Sequence, residues 1–238
     1  DGFGPKPKVD LRFELPKQDC AGLAAATPKA IVAGLDALSV RGNTWMEARL
    51  KVDMARPKRL KLSIDGDLAG CRIRTLGKTV DKRIRRLASR RFVHRPVVAG
   101  KPVGVTVGPG TAGWVPYRHI PDWLKAAATD TEDRAFFSHS GLRLGLIRGA
   151  LKLNLKHLRY VYGGSTITQQ LVKNLFLTRR KDLARKFEEA IIAVQLERTL
   201  SKERILELYL NCIEYGPGIW GLTAAADAYY GKSVADLA

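Results

Sequence analysis

The sequence contains only three cysteines, and they are spread along the chain at positions 20, 71 and 212. Three separated thiols exclude a small disulfide-scaffolded fold and lack the close spacing of a zinc site. Cys20 and Cys71 lie in the first half of the chain. They either pair in an oxidising compartment or remain two partly buried thiols, and the spacing favours neither alternative. We expect Cys212 to be packed, without a chemical role.

Long hydrophobic runs are also missing. No stretch approaches the roughly 18 consecutive apolar residues of a membrane-spanning helix, and no N-terminal signal peptide is recognisable. Because the first residue is Asp rather than Met, we expect a fragment or a processed form, so this absence does not argue against a membrane anchor.

Acidic residues are scarce: 23 Asp and Glu stand against 41 Lys and Arg, which gives a formal charge of +18. Such a charge predicts a polyanionic partner, and nucleic acid, anionic lipid headgroups and phosphate-bearing substrates all meet that condition. With 45% hydrophobic residues, the composition excludes a disordered or collagen-like chain and is typical of a folded protein.

The hydrophobic pattern divides the chain into two parts. Between residues 9 and 76 apolar residues alternate with polar ones, which predicts half-buried strands that include a hairpin. A short helix is expected between residues 19 and 38. Gly and Pro are frequent from residue 99 to 113, which indicates a linker. We therefore expect a β-rich domain over residues 1–112 and a second domain over 113–238.

Residues 72–95 carry ten Lys and Arg around one acid, Asp81, with apolar residues at helical spacing. This pattern predicts a basic amphipathic helix, which is typical of a membrane-surface segment. The alternative, a solvated basic face beside a small protein core, is equally consistent with the sequence.

After Trp114 the apolar period changes to about 3.6 residues, which predicts consecutive helices. The predicted helices cover residues 121–132, 142–160, 166–177, 181–199 and 202–211. Ser165 is the predicted N-cap of the third helix and Ser201 that of the fifth. The helix over 142–160 has a basic stripe beside apolar residues, which fits either a lipid headgroup layer or an ordinary core helix.

Two of these helices carry polar residues along one face. On the third helix, Thr166, Gln170 and Lys173 share a stripe that can face an anionic ligand while the opposite side packs. On the fourth, Arg185 and Glu189 are four residues apart, and by spacing alone an ordinary surface ion pair is the preferred explanation.

Four strings of residues change this interpretation because they occur together and in order. They are EDRAFFSHSG at 132–141, GGSTITQQLVKN at 163–174, RKFEE at 185–189 and LERTLSKERILELYLN at 196–211. With these strings the chain resembles the peptidoglycan glycosyltransferases, glycosyltransferase family 51, over residues 114–238.

The alternating pattern predicts a β-rich N-terminal domain, and the resemblance implies that a mainly α-helical, lysozyme-like transglycosylase domain follows it, so the expected fold class is α+β. We expect that domain to be incomplete at its C-terminus, because the chain stops before the last helices of the family. The family polymerises lipid II into glycan strands by inverting glycosyl transfer, with loss of undecaprenyl pyrophosphate. The same activity is expected here.

The resemblance also implies roles for individual residues. Glu132 is the expected general base for the acceptor hydroxyl, and Glu189 is the second catalytic glutamate, expected to orient cations or a metal. The expected substrate-binding residues are Lys173, Lys181, Arg185 and Lys186 for the pyrophosphate, and Ser165, Thr166, Gln170 and Asn174 for hydrogen bonds. Asp133 and His139 are expected to shape the loop around Glu132.

The expected ligands and partners follow from the same resemblance. No metal-ligand cluster is evident in the sequence, so no cofactor is expected to be required, although Mg²⁺ or Mn²⁺ can bridge a pyrophosphate. The expected partners are lipid II, the growing glycan chain, the membrane surface and cell-wall synthesis proteins. The expected location is the periplasmic or outer face of the bacterial inner (cytoplasmic) membrane.

Two other functions are compatible with parts of the sequence. Nucleic-acid binding would use the positive charge, but no DNA-binding motif and no interleaved set of aromatic residues is visible, so nucleic acid is not an expected partner. A non-catalytic scaffold would bind lipid II or glycan without turnover, yet the motif carboxylates and cations are all present. The role of residues 1–112 stays open between lipid, glycan and protein binding.

Overall fold

The computed structural model contains both helices and strands, which is compatible with the expected α+β class. The structure describes residues 7–56, 59–67, 70–98, 101–143, 145–146, 149–150, 153, 157, 163–177 and 182–237. Lys181 and the basic stripe of the helix predicted over 142–160 lie outside these residues. Within the described ranges, no helix is both long enough and apolar enough to cross a bilayer.

Strands are concentrated in the first half of the chain and helices in the second. The strands are β1 (Lys8–Asp19), β2 (Ser39–Arg41), β3 (Asn43–Asp53), β4 (Lys61–Gly66), β5 (Arg72–Thr75), β6 (Phe92–His94), β7 (Val97–Val98), β8 (Lys101–Pro102), β9 (Val105–Val107), β10 (Glu214–Gly216) and β11 (Ile219–Trp220). The helices are α1 (Cys20–Ala26), α2 (Lys78–Leu87), α3 (Asp122–Glu132), α4 (Ile167–Phe176), α5 (Leu183–Thr199), α6 (Lys202–Cys212) and α7 (Leu222–Tyr230).

Contacts between residues divide the chain into two compact units, and the division does not follow the expected boundary at residue 112. The first unit comprises Asp1–Lys29, Ala37–Leu76 and Arg143–Ser165. The second, which we call the helical unit, comprises Ala30–Asp36, Gly77–Leu142 and Thr166–Ala238. Residues 77–112, which we expected in the β-rich domain, therefore belong to the helical unit.

The first unit contains a three-stranded antiparallel sheet in the order β1-β3-β4. Leu11 pairs with Leu50 across β1 and β3, and Ala48 pairs with Ile64 across β3 and β4, so the alternating apolar residues share one face. β3 and β4 form the predicted hairpin. Most apolar side chains of that face are half-buried, as a period of two predicts.

A disulfide bond joins Cys20 to Cys71 inside the first unit, with the two Cα atoms 5.8 Å apart. Cys20 begins α1 and Cys71 directly precedes β5, so the bond ties this helix to this strand. Of the two alternatives left open by the sequence, the structure has the paired one. Cys212 is free and buried, and burial raises the pKa of its thiol to about 12, so the thiol stays protonated.

The core of the helical unit lies where α4 packs against α5 and α6. Ile167, Leu171 and Val172 on α4 are fully buried there. Burial of an aliphatic side chain of this size contributes about 1.5–3 kcal/mol, so the apolar face of α4 holds the helix in place. The polar residues of α4 are left on its other faces, where the candidate site lies.

Helix α2 shows why residues 77–112 belong to the helical unit. Its apolar face, formed by Val80, Ile84 and Leu87, is buried in the protein. On the same helix, Arg83 donates a 2.7 Å hydrogen bond from Nη2 to the carbonyl oxygen of Leu175. The apolar face is therefore not free to enter a membrane surface. Of our two alternatives, a basic face beside a protein core is the one observed.

The short segment Ala30–Asp36 belongs to the helical unit although it lies between α1 and β2 in sequence. The Gly34 amide donates to the buried Glu188 carboxylate on α5 at 2.5 Å. The Asp36 carboxylate accepts from the Thr79 amide in the first turn of α2 at 2.5 Å, and hydrogen bonding from Thr79 lowers the pKa of Asp36. These partners are 154 and 43 residues apart, so no local pattern indicated the contacts.

The ends of α3, α4, α5 and α6 agree with the predicted ones to within two residues. The side chain of Ser201 accepts a hydrogen bond from the Arg204 amide and caps α6, which confirms that prediction. The prediction that Ser165 caps α4 is wrong, because Thr166 is the N-cap and the helix begins at Ile167.

Candidate active site

Glu132 is the last residue of α3, and its side chain is exposed. One carboxylate oxygen, Oε2, accepts a 2.7 Å hydrogen bond from Nε2 of Gln170 on α4. The other oxygen, Oε1, has no hydrogen-bond partner within the described part of the chain. This oxygen is free to accept a hydrogen bond or a proton from a bound molecule.

Tyr209 on α6 sets the orientation of the Gln170 amide. The phenol oxygen lies 3.3 Å from Gln170 Oε1 and donates to it. Burial raises the pKa of the Tyr209 phenol, and the charge of Glu132 raises it further, so the phenol keeps its proton at neutral pH. Because the Gln170 oxygen is engaged by Tyr209, the amide presents its NH₂ group to Glu132.

The loop after Glu132 is attached to the N-terminus of α4 by a buried carboxylate. Asp133 accepts hydrogen bonds from Nε2 of His139 at 2.8 Å and from the Ile167 amide at 3.2 Å. The Gly141 amide donates to Nδ1 of His139 at 3.0 Å, so Nδ1 is the unprotonated nitrogen and Nε2 carries the hydrogen. Both ring nitrogens of His139 therefore hold the loop.

Thr166, for which we predicted a substrate contact, forms hydrogen bonds within the protein. Its side chain is fully buried, and its hydroxyl donates to the Gly141 carbonyl at 2.7 Å and accepts from the Gln169 amide at 3.2 Å. The Gln169 side chain accepts from the Thr166 amide in return, which completes a capping box. The hydroxyl is buried and both donates and accepts inside the protein, and a substrate contact of Thr166 stays a prediction.

A cavity of about 440 Å³ lies beside Glu132, and we call it the glutamate cavity. Its lining includes Glu132, Gln170, Lys173, Asn174, Tyr209 and Glu214. The volume is in the range of ligand pockets in general, and the lining combines carboxylates, an ammonium group and amides. In the residues that the structure describes, no group of three or more His, Cys, Asp and Glu is placed to hold a metal ion.

Glu189 belongs to a second cluster, on α5, outside the described lining of the glutamate cavity. Its side chain is only 2% exposed and contacts Nη1 of Arg185 at 2.9 Å, Nζ of Lys186, and Nε2 of Gln169 at 3.3 Å. Three donors offset the desolvation of a buried carboxylate. The pair between Arg185 and Glu189 that the spacing predicted is present, but its carboxylate is buried rather than on the surface.

Adjacent glutamines connect the two clusters. Gln169 contacts Glu189 on α5, and Gln170 contacts Glu132 on α3. Successive residues of a helix point about 100° apart, so neighbouring side chains of α4 can reach carboxylates on two different helices. The position of α4 therefore sets the surroundings of both glutamates.

Seven of the ten predicted site residues fall into two groups, and the other three are Thr166, which caps α4, Ser165 and Lys181. Glu132, Gln170, Lys173 and Asn174 meet at the glutamate cavity, whereas Arg185, Lys186 and Glu189 form the second cluster. Ser165 directly precedes the cap of α4, and its role stays a prediction, as does that of Lys181 outside the described residues.

Three contributing residues were not singled out from the sequence: Gln169, Tyr209 and Glu214. Gln169 and Tyr209 lie inside two of the four strings, so a signal for them was present. Their contacts were not predictable, because spacing along one helix does not show which other helix a side chain meets. Nothing in the pattern indicated Glu214.

Comparison with known proteins shows the family to which the chain belongs. Residues 100–238 match the Transglycosylase family, and the chain belongs to that family. The biosynthetic peptidoglycan transglycosylase of Thiobacillus denitrificans is 50% identical over 124 residues, 52% of this chain and 53% of that protein. The protein of the same name from Dechloromonas aromatica is 52% identical over 124 residues, 52% of this chain and 54% of that protein.

Penicillin-binding protein 1A of Aquifex aeolicus is also similar, with 47% identity over 133 residues, 56% of this chain and 18% of that protein. The chain spans about half the length of the biosynthetic peptidoglycan transglycosylases that it matches. The family match begins at residue 100, before the boundary that we expected.

Proposed function

We propose that this protein is a peptidoglycan glycosyltransferase that polymerises lipid II into glycan strands by inverting glycosyl transfer. Membership of the Transglycosylase family and the names of the relatives support this activity. The observation that carries the mechanism is the exposed Glu132 carboxylate at the glutamate cavity, with one oxygen oriented by Gln170 and the other free.

In the proposed reaction Glu132 is the general base. A sugar hydroxyl is a weak nucleophile near neutral pH, so a carboxylate must take its proton as the new bond forms. The acceptor 4-hydroxyl attacks the anomeric carbon of the donor, its proton passes to Glu132, and the bond from that carbon to the pyrophosphate oxygen breaks. Attack opposite the leaving group inverts the anomeric centre.

The leaving group in this proposal is undecaprenyl pyrophosphate, which departs as an anion. It therefore needs cationic stabilisation more than it needs a general acid. Lys173 on the wall of the glutamate cavity suits this role, and Asn174 and Gln170 offer polar contacts beside it. A divalent cation, Mg²⁺ or Mn²⁺, is an optional aid to the pyrophosphate, and no step above depends on it.

For Arg185 and Lys186 we propose the same stabilising role, with Glu189 as the residue that orients them. Both cations contact the Glu189 carboxylate, which restricts their side chains. Lys181 and Ser165 complete the proposed binding set by resemblance to the family. Thr166 is left out of it because its hydroxyl is buried and used for capping.

We place the proposed activity at the periplasmic or outer face of the bacterial inner membrane, where lipid II and the growing glycan chain are the partners. The disulfide between Cys20 and Cys71 supports an oxidising compartment. Contact with the membrane surface and with cell-wall synthesis proteins is part of the same proposal. The charge of +18 favours an anionic surface of this kind.

The decisive experiment compares Glu132→Gln with Asp130→Asn. Both variants remove one exposed carboxylate from α3, but only Glu132 lines the glutamate cavity. We expect Glu132→Gln to lower the rate of glycan-strand formation from labelled lipid II by about 10²–10⁴-fold, because the general base is lost. Asp130→Asn should retain the rate of the unmodified protein.

The assay is run in detergent micelles on this chain and on a form extended beyond Ala238. Polymer that disappears only with Glu132→Gln supports both the activity and the base. Equal loss in the two variants would reject Glu132 as the base. Binding of lipid II without polymer in either form would replace the enzyme by a non-catalytic scaffold.

A further inference from the structure

A second cavity of about 420 Å³ in the helical unit is lined by four arginines, and we call it the arginine cavity. They are Arg83, Arg86, Arg91 and Arg95, from α2 and the segment that follows it. The other described lining residues include Leu87, Phe92, Val93, Thr106, Leu175 and Phe176. None of the residues described in this lining also lines the glutamate cavity, so this is a separate place in the same unit.

Two of the four guanidinium groups are held in place by neutral partners. Arg83 donates to the carbonyl of Leu175 and lies 4.5 Å over the ring of Phe176. Arg91 donates from Nη2 to the carbonyl oxygen of Gly110 at 2.8 Å. These contacts orient the side chains but leave their positive charges uncompensated.

The side chains of the remaining two, Arg86 and Arg95, form no hydrogen bond or ion pair with any other residue that the structure describes. Within the same described residues, no carboxylate pairs with Arg83 or Arg91 either. Burial lowers the pKa of the Arg83 guanidinium, and the positive charge of Arg95 lowers it further. Four like charges are therefore gathered in one concave place, where a bound anion would relieve their repulsion.

The lining also indicates what kind of anion fits. The guanidinium group is a planar fork that binds the oxygens of a phosphate in pairs. About half of the lining is apolar, so the cavity suits an anion that carries a hydrocarbon portion. Arg83 covers one face of Phe176, so that face is not available to a stacking nucleobase.

We propose that the arginine cavity binds the phosphate of an amphiphilic phosphate ester, the headgroup of an anionic phospholipid. The proposal goes beyond the glycosyltransferase activity and does not depend on it. It also gives the basic segment 72–95 a role at a membrane surface that does not use the apolar face of α2. That face is buried in the core, while the arginines remain accessible.

The test compares two double variants of equal charge change. Arg86→Gln with Arg95→Gln removes two cavity arginines that hold no internal bond, and Arg85→Gln with Arg90→Gln removes two exposed arginines outside the described lining. The probe is dihexanoyl phosphatidylglycerol below its micelle concentration, followed by calorimetry. We expect the cavity pair to weaken binding by about tenfold or more and the control pair by less than about twofold.

Further probes distinguish the sources of the phosphate. Inorganic phosphate should bind more weakly than the short-chain lipid, and vesicles containing phosphatidylglycerol should retain the protein better than pure phosphatidylcholine vesicles. Equal affinity for inorganic phosphate would overturn the lipid assignment. Absence of binding to every probe, or equal loss in the two double variants, would overturn the site.

A single substitution keeps the test decisive if the double variant of Arg86 and Arg95 does not fold. Thr106 is exposed at the cavity, so Thr106→Glu places a carboxylate among the guanidinium groups at low structural cost. We expect this internal anion to compete with the lipid and to weaken binding by about tenfold or more. Unchanged lipid affinity in folded Thr106→Glu would also overturn the site.

Discussion

Glu132 and Glu189 both contact a glutamine of α4, yet their surroundings are opposite. Glu132 is exposed at the glutamate cavity, where a neutral amide donates to one of its oxygens. Glu189 is buried and contacts an arginine, a lysine and an amide. The Glu132 carboxylate therefore keeps an oxygen free for a bound molecule, whereas the Glu189 carboxylate is engaged by three donors of the protein.

This difference indicates how the two carboxylates divide their roles. A carboxylate surrounded by three donors has little capacity left for a substrate proton, whereas an exposed carboxylate with a free oxygen has that capacity. A buried carboxylate between cations instead fixes their positions and contributes to stability. The contrast supports Glu132 as the proposed base and Glu189 as a positioning residue.

The largest expected change in the free energy of unfolding is that of Glu189→Gln, because only Glu189 is a buried carboxylate paired with cations. Glu189→Gln leaves Arg185 and Lys186 without their carboxylate, and we expect the free energy of unfolding to fall by about 2–4 kcal/mol. Breaking a fully buried ion pair costs about 3–5 kcal/mol, and we expect a somewhat smaller loss here because the Lys186 side chain is partly exposed. Urea unfolding measures it.

Glu132→Gln is the matched control for this measurement. Its side chain is exposed, so we expect its free energy of unfolding to change by less than about 0.5 kcal/mol. If Glu132→Gln and Glu189→Gln lowered the free energy of unfolding by similar amounts, the assignment of a structural role to Glu189 alone would be wrong.

His94 tests whether buried titratable groups elsewhere in the helical unit also set its stability. Burial lowers the pKa of His94 from 6.5 to about 4, an effect that the backbone of Cys212 partly offsets. Unfolded His94 binds a proton below about pH 6.5, whereas folded His94 does so only near pH 4. The free energy of unfolding therefore falls as the pH drops through this window, by up to about 3 kcal/mol.

The measurement compares unfolding of the unmodified protein and of His94→Phe at pH 7 and pH 4. Phe keeps an aromatic ring beside Trp220, which lies 5.5 Å from the His94 ring between centroids. We expect His94→Phe to lose less stability on acidification. An identical pH dependence in both proteins would show that other groups cause the acid loss.

A smaller effect is expected from the phenol that orients Gln170. Tyr209→Phe removes the hydrogen bond to the Gln170 oxygen, and we expect kcat for glycan formation to fall about three- to tenfold with little change in KM. Tyr215→Phe is the control: its phenol also lies at the glutamate cavity but donates to the Leu210 carbonyl. Equal effects of the two substitutions would argue against an orienting role for Tyr209.

The smallest effect concerns Thr166, which the sequence suggested as a substrate contact. Thr166→Val removes the cap of α4, and we expect a loss of about 1 kcal/mol of stability with glycan formation retained under folding conditions. Thr166→Ser keeps the hydroxyl and should restore stability. A large loss of turnover in folded Thr166→Val would return this residue to the substrate-binding set.

The structure agrees with the sequence most closely where a feature depends on local geometry. The hairpin of β3 and β4, the capping by Ser201 and the pairing of Arg185 with Glu189 all connect residues close in sequence or in one regular pattern. The family strings added Glu132, which spacing alone did not single out, whereas Gln170 already stood out from its helical spacing with Lys173.

Predictions were less accurate where distant segments meet. The amphipathic pattern of α2 was clear, but whether its apolar face meets protein or membrane depends on which partner covers it. Gly34 and Asp36 lie far in sequence from their partners Glu188 and Thr79, so no window of residues contained that information. The division by contacts places residues 77–112 with the helical unit, a grouping that also depends on contacts between distant segments.

The sequence by itself determined the positions of α3, α4, α5 and α6, the cap of α6 and the family of the protein, because these depend on residue order and helical periodicity. Only the tertiary structure decided that Gln169 meets Glu189 while Gln170 meets Glu132. Burial of one carboxylate and exposure of the other follow from how α3, α4, α5 and α6 pack. Packing between helices changes solvation and hydrogen bonding, and these properties distinguish a reactive glutamate from a structural one.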